Sequence, residues 1–173
     1  MSRKYINDKW CVRCGKTAPT PYLAKKLDVI SPNPEARDRS VVVDIGCGNG
    51  RNSNYMKEQG FKHVYSYDMA GDVGEEMVLG KDSFPLGAFS ADIILANYIM
   101  MFLDVWEIAH TLREVNRIAK EGCYFVLELY GAKDSYYPTK EKILSLQKEI
   151  EGLLEEEWEI VHSVQERSIL RKL

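Results

Sequence analysis

The stretch Val41-Val42-Val43-Asp44-Ile45-Gly46-Cys47-Gly48-Asn49-Gly50 constrains this chain more than any other. Three β-branched residues in a row read as a short strand buried on both faces. That strand runs into three glycines at alternate positions. Glycine adopts left-handed backbone conformations and lets the chain approach a ligand with no Cβ in the way. The residues that follow, Arg51 to Gln59, read as a helix that stops at Gly60. Strand, tight turn and helix in that order aim the first amides of the helix at the place the turn encloses. Asp68 closes the next strand, Val64 to Tyr67, 24 positions after Asp44. An acid at a strand end, about 20 residues on, is placed to grip a ribose diol.

The rest of the chain alternates in the same way. Ser31-Pro32-Asn33-Pro34-Glu35-Ala36-Arg37-Asp38-Arg39 is a loop by its prolines and polar residues. It divides residues 1–30, a segment with one helix around Tyr22 to Val29, from residues 31–173. Asp92 to Ala96 reads as a buried strand. Val105 to Ala119 is the strongest helix, with Val105, Ile108, Ala109, Leu112, Val115 and Ala119 as its apolar stripe. Gly122 is expected to break it before a strand from Tyr124 to Leu127. Thr139 to Leu154 is a second helix, with Ile143, Leu146, Ile150 and Leu153 on one face. Trp158, Ile160, His162 and Val164 follow at strand spacing, and Ser168 to Leu173 is a last strand. Alternating strands and helices predict a doubly wound α/β sheet. Only Gln165-Glu166-Arg167 joins the last two strands, too short for a parallel crossover, so they pair antiparallel.

Dinucleotide sites require G-x-G-x-x-G, but here the third glycine is Gly50, and position 51, where that pattern puts its last glycine, is Arg. The sequence instead resembles class I S-adenosylmethionine-dependent methyltransferases, whose first motif is D-x-G-x-G-x-G, matched by Asp44, Gly46, Gly48 and Gly50. ADIILANYIMMFLD is similar to that family's fourth strand and its sequel, and LREVNRIAKEGCYFVLEL to its helix, glycine and fifth strand. WEIVHSVQERSILRKL fits its closing hairpin. The MMFLD region resembles small-molecule members, the tellurite-resistance group among them. The resemblance implies a Rossmann-like, doubly wound, mostly parallel sheet with an antiparallel C-terminal hairpin. Met69 to Ser90 is short for the helix and strand the family places there, so the fold is expected to be compressed between the second and fourth strands.

The resemblance also implies S-adenosyl-L-methionine as cofactor. Asp44, Gly46, Cys47, Gly48, Asn49 and Gly50 would lie along its methionine portion, and Asp68 with Met69 along its ribose. Asp82 and Ser83 would reach the adenine, with a solvated loop as the alternative. Asn97 and Tyr98, at the end of the fourth strand, would stand beside the sulfonium and the acceptor entrance. The two prolines of the D/N-P-P-Y/F motif of amino-methylating nucleic-acid enzymes are absent there. The expected activity is methyl transfer to a small molecule, with residues 1–30 as a lid or cap. The alternatives are a nucleic-acid or protein methyltransferase that recognises its substrate through the N-terminal Cys-rich segment, and a non-catalytic binding module. No side chain stands out as a catalytic base.

Bulk properties narrow the partners. At 173 residues and net charge −3, the chain suits one domain and lacks the basic excess of a nucleic-acid binder. Only the N-terminal segment is basic, through Arg3, Lys4, Lys9, Arg13, Lys16, Lys25 and Lys26, with Tyr5, Trp10 and Tyr22 interleaved. Nucleic acid is therefore the less favoured acceptor. No apolar run nears the about 20 residues a membrane helix needs, and no apolar leader opens the chain, so a cytoplasmic protein is expected. Cys11 and Cys14 are half of a zinc knuckle; without two further ligands no metal site is expected. Oligomeric state is not encoded in any pattern found.

Overall fold

The computed structural model describes residues 17–69, 73–129 and 140–173; side chains are described from residue 143 in the last of these. Cys11, Cys14, Tyr5, Trp10 and the basic residues up to Lys16 lie outside the described residues. A seven-stranded sheet forms the centre. Its strands are β1 (Val41–Ile45), β2 (His63–Asp68), β3 (Glu75–Glu76), β4 (Ala91–Asn97), β5 (Ala119–Glu128), β6 (Trp158–Val164) and β7 (Arg167–Lys172). They lie in the order β3-β2-β1-β4-β5-β7-β6. β1 to β5 pair parallel, and β7 pairs antiparallel with both β5 and β6. The doubly wound, mostly parallel sheet with a C-terminal antiparallel hairpin is the architecture the sequence predicts.

Among the described residues, two helices pack on each face of the sheet. On one face, α1 (Pro21–Ile30) and α2 (Arg51–Glu58) bring Tyr22, Leu23, Leu27, Ile30 and Met56 onto Val42, Ile93, Leu95 and Val126. On the other, α3 (Val105–Ile118) and α4 (Lys140–Leu154) bring Ile108, Leu112, Val115, Ile143 and Ile150 onto Val43, Ile94, Phe125 and Leu170. Neighbouring residues of one strand, such as Val42 and Val43, thus serve opposite cores, as the two-residue period of a strand requires. This explains why the central strands read as unbroken apolar runs. α1 supplies four buried side chains to the first core.

The helices depart from the expected stripes in detail. Val105 is 56% exposed because it is the first helical residue, at the rim beside the Asp104 cap; Ile118 completes the stripe instead. In α4, Leu153 is exposed and Leu154 is buried, which keeps Ile143, Ile150 and Leu154 at helical spacing along one face. Gly122 does not end α3. The helix stops at Ile118, and Ala119 already pairs with Ala91 of β4. Gly122, at φ +78, sits in the register shift of β5 instead.

Between β2 and β4 the chain is compressed. Only two residues of β3 are paired, and among the described residues of this stretch no helix forms. The loop is anchored by side chains. Met77, Leu79 and Phe84 are buried, and Arg117 of α3 donates to the carbonyls of Leu86 (2.8 Å) and Phe84 (2.9 Å). Gly80, at φ +79, lies so near α3 that a Cβ would stand 2.5 Å from Glu107 Cα and 2.4 Å from its Cβ. Substitution Gly80→Ala combines left-handed strain with a backbone clash. It should cost about 2–4 kcal/mol, read as a lowered urea midpoint with unchanged m-value.

Candidate functional site

The carboxyl edge of β1, β2 and β4 gathers the sequence-predicted residues. After Ile45 the chain turns through Gly46 (φ +67), Gly48 (φ +54) and Gly50 (φ +74) into α2. The amides of Gly46 and Cys47 both donate to the Tyr67 carbonyl, at 2.8 and 3.0 Å. The Gly48 amide donates to Asp68 Oδ2 at 2.9 Å. The loop is therefore suspended from the last two residues of β2, and Asp68 is joined to it directly. Gly50 donates to the Cys47 carbonyl, closing the turn.

The three glycines answer three different constraints. A Cβ on Gly46 would meet Ile99 Cγ1 at 2.5 Å, and one on Gly50 would meet Val73 Cγ1 at 2.5 Å. Nothing lies within 4 Å of the place a Cβ on Gly48 would take. Gly46 and Gly50 are packing glycines, whereas Gly48 borders open space. Ile99 was not singled out by the sequence, and its contact shows that the segment after β4 lies over the loop.

Asp44 is 1% exposed. Its Oδ2 accepts from Ser53 Oγ at 2.5 Å, and Ser66 Oγ donates on to Ser53 Oγ at 2.8 Å. This chain of groups ties β1, α2 and β2 together behind the loop. Burial pushes the Asp44 carboxyl up to about 6, against the opposing pull of the Ser53 hydrogen bonds.

On the far side, Asn97 ends β4 opposite Glu128 of β5. Asn97 Nδ2 donates to Glu128 Oε1 at 2.6 Å, and its Oδ1 accepts from Asn52 Nδ2 at 3.0 Å. Both polar ends of Asn97 are thus engaged within the protein. Tyr98, at φ +62, donates through its hydroxyl to Glu128 Oε2 at 3.2 Å, and the Arg51 guanidinium lies 5.9 Å from its ring centre. Burial, and then the Glu128 charge, push the phenol up to about 12, so it stays a hydroxyl at neutral pH. Glu128, Arg51, Asn52 and Ser53 are site residues the sequence reading missed. For Glu128 a signal existed: one acid inside the apolar run Tyr124 to Leu129.

Asp82 and Ser83 lie in the loop between β3 and β4. Both are exposed, and Asp82 Oδ2 accepts from the Val78 amide at 2.7 Å, closing its own turn. Met69, next to Asp68, is half-buried. Among the described residues no group of three His, Cys, Asp or Glu side chains is placed to hold a metal ion, and the Cys47 and Cys123 side chains are buried. No helix among them is long and apolar enough to cross a membrane.

A family model described as a methyltransferase domain matches residues 18–173, nearly the whole described chain. The chain belongs to the methyltransferase domain family. Its sheet order and glycine loop place it with the class I, S-adenosylmethionine-dependent members that the motif resembles. None of the curated proteins matches its sequence. Solved structures share the fold at low identity. A S-adenosylmethionine-dependent methyltransferase from Aquifex aeolicus is 18% identical, covering 86% of this chain and 95% of its own, with TM-score 0.55. A TehB-like S-adenosylmethionine-dependent methyltransferase from Corynebacterium glutamicum is 19% identical, covering 86% and 84%, with TM-score 0.57. The 1,6-didemethyltoxoflavin-N1-methyltransferase of Burkholderia thailandensis, solved with its substrate and S-adenosylhomocysteine, is 17% identical, covering 87% and 80%, with TM-score 0.55.

The described residues fit the family's cofactor on an observation internal to this methyltransferase. The space over Gly48 is where a ligand can approach the backbone, and Asp68, which accepts the Gly48 amide, lies beside it. The raised Asp44 pKa makes a testable stability statement. The folded state holds the proton up to about pH 6 and the unfolded chain only to about 4, so folded protein binds more protons in between. Stability from this group is therefore lost as pH rises from 4 to 6. Relative to Asp44→Asn, the wild type should lose about 3 kcal/mol over that window, measured by urea unfolding at each pH.

Proposed function

We propose that this S-adenosylmethionine-dependent methyltransferase acts on a small-molecule acceptor. The observation that carries the proposal is the apolar segment seated at the carboxyl edge of β4. Met100 is buried, and Ile99, Met101, Phe102 and Leu103 are half-buried beside Tyr98. Such a rim suits a compact, partly apolar acceptor. The Burkholderia neighbour, which binds a small heterocycle, supports the same class. Tyr22, one of three aromatics that could have made a stacking surface for single strands, is 8% exposed and hydrogen-bonded to His162 Nδ1 at 2.9 Å. It serves the core.

In this reading the glycine loop, with Asp44, Gly46, Cys47, Gly48, Asn49 and Gly50, cradles the methionine portion of the cofactor, and Asp68 and Met69 hold the ribose. Asp82 and Ser83 border the adenine. Asn97 and Tyr98 shape the acceptor side. When bound, S-adenosylmethionine supplies a methyl group already activated on a sulfonium. The chain's task is then alignment and exclusion of water. Asp68 provides oxygens for a diol while it holds the Gly48 amide. Asp44, once ionised, provides a counter-charge for an ammonium group. The Tyr98 hydroxyl, high in pKa, is no base, so this site suits acceptors that ionise readily or carry a free lone pair.

Calorimetry with S-adenosylhomocysteine tests the assignment. Wild type should bind in the micromolar range, about 8 kcal/mol. Asp68→Ala should weaken binding by about 1–3 kcal/mol, and Gly48→Val should remove it while the protein still melts cooperatively. Absence of binding to wild type overturns the assignment. For the acceptor, titration with labelled RNA and single-stranded DNA at about 0.15 M salt should show no tight binding; tight binding that falls steeply with salt would identify a nucleic-acid enzyme.

A further inference from the structure

Glu128 is fully buried, yet it lies at the carboxyl end of a central strand, beside the site rather than beneath it. A buried carboxylate needs donors, and this one has four. Oε1 accepts from Thr20 Oγ1 and from Asn97 Nδ2. Oε2 accepts from the Tyr98 hydroxyl and from Arg167 Nε at 3.3 Å. The Glu128 carbonyl also accepts the Tyr98 amide at 2.7 Å. One residue thus grips Tyr98 at its backbone and at its ring hydroxyl. The donors come from the residue before α1, the end of β4, the residue after it, and β7.

A carboxylate is an expensive way to fill a core position, since a well-packed apolar residue is often at least as stable. What the Glu128 carboxylate secures here is a conformation. Tyr98 is an aromatic residue in the left-handed region, which costs energy unless its surroundings fix it. The consequence is felt at the cradle. Ile99, next in sequence, is packed on Gly46, and Arg51, the first residue of α2, lies over the Tyr98 ring. Any rotation at Tyr98 therefore moves both the wall over the glycine loop and the phenol beside it.

We propose that Glu128, braced by Arg167, is the positioning residue for Tyr98 on the acceptor side of the cofactor site. The proposal rests on the reading of the glycine loop as the S-adenosylmethionine cradle. Glu128 itself touches neither cofactor nor acceptor in this scheme; it acts through Tyr98. Its chemistry is not replaceable by an amide. All four side chains around it donate, and glutamine offers an NH₂ on one side. A hydroxyl can turn and accept from that NH₂, but Arg167 Nε–H and Asn97 Nδ2–H cannot. In Glu128→Gln the NH₂ therefore faces either Asn97 Nδ2–H or Arg167 Nε–H, one of these donors is displaced, and in both cases the charge that holds the Tyr98 hydroxyl is lost.

The test uses the full chain labelled with carbon-13 at tyrosine Cζ, and calorimetry with S-adenosylmethionine and S-adenosylhomocysteine. The Tyr98 signal is identified by its loss in Tyr98→Phe. In Glu128→Gln that signal should shift more than any other tyrosine's, and affinity for S-adenosylmethionine should fall about tenfold. Tyr98→Phe should weaken binding similarly, and the double variant should bind within about twofold of the weaker single, because both act through one contact. A folded Glu128→Gln with the Tyr98 signal in place and affinity within twofold of wild type overturns the proposal. So does additivity of the two substitutions. Should Glu128→Gln not fold, Arg167→Gln decides in its place: a shifted Tyr98 signal with several-fold weaker binding supports the proposal, and no change in either overturns it. If the wild type binds neither ligand, the cofactor reading fails and takes this proposal with it; if wild type and variants bind alike, this proposal alone fails.

Discussion

Two amides share the carbonyl of Tyr67, and the geometry of the site follows from that shared acceptor. Gly46 N–H and Cys47 N–H can reach one oxygen only if the chain reverses sharply as it leaves β1. The reversal needs a left-handed residue at Gly46, and the recovery into α2 needs two more at Gly48 and Gly50. β2 must extend past β1 to offer the carbonyl, which is why Asp68 arrives beside Gly48. The Asp68 carboxylate then meets a loop amide with no further adjustment. Parallel pairing of β1 with β2 and β4 holds these ends level, and the helices bury both faces of β1 and β4.

Behind the loop, polarity is concentrated where water is excluded. Asp44 is buried in the strand that also carries Val42 and Val43 into the two cores, and its hydrogen bonds to Ser53 only partly offset the cost of desolvation. The raised Asp44 carboxyl therefore carries its charge at neutral pH against the cost of desolvation, a cost that a nearby positive charge would offset more in that dry setting than at the surface.

How much of this was legible depends on how local the cause was. The glycine loop, the strands and the C-terminal hairpin were readable because each is dictated by neighbours in sequence: β-branched runs, alternate glycines, and a connection too short for a crossover. Asp44, Asp68, Asn97 and Tyr98 were found because motif spacing places them at strand ends. Errors arose where a tertiary contact overrode a local signal. Gly122 looks like a helix stop, but pairing of Ala119 with Ala91 ends the helix first and leaves Gly122 to absorb a register shift. Leu153 and Leu154 are adjacent and equally apolar, and only the position of the sheet chooses between them.

The two sides of the site differ in kind, and that difference explains which half could be read. The proposed cofactor side is made mainly of backbone amides, and a backbone in unusual conformations announces itself through glycine. The proposed acceptor side is made of side chains brought together from distant parts of the chain. Thr20 and Glu128 are 108 positions apart, and Arg167 reaches Glu128 across 39. No spacing rule links such residues, so the acid in β5 looks like an isolated irregularity until the register sets it against Asn97. The arrangement also separates two kinds of change. Substitutions in the glycine loop strain the backbone as it leaves β1, whereas substitutions at Tyr98 act on a half-buried ring whose hydroxyl is tied to Glu128 and whose face lies against Arg51. In the proposed reading, acceptor preference shifts through that side-chain clamp while the suspended loop, anchored on Tyr67, stays as it is.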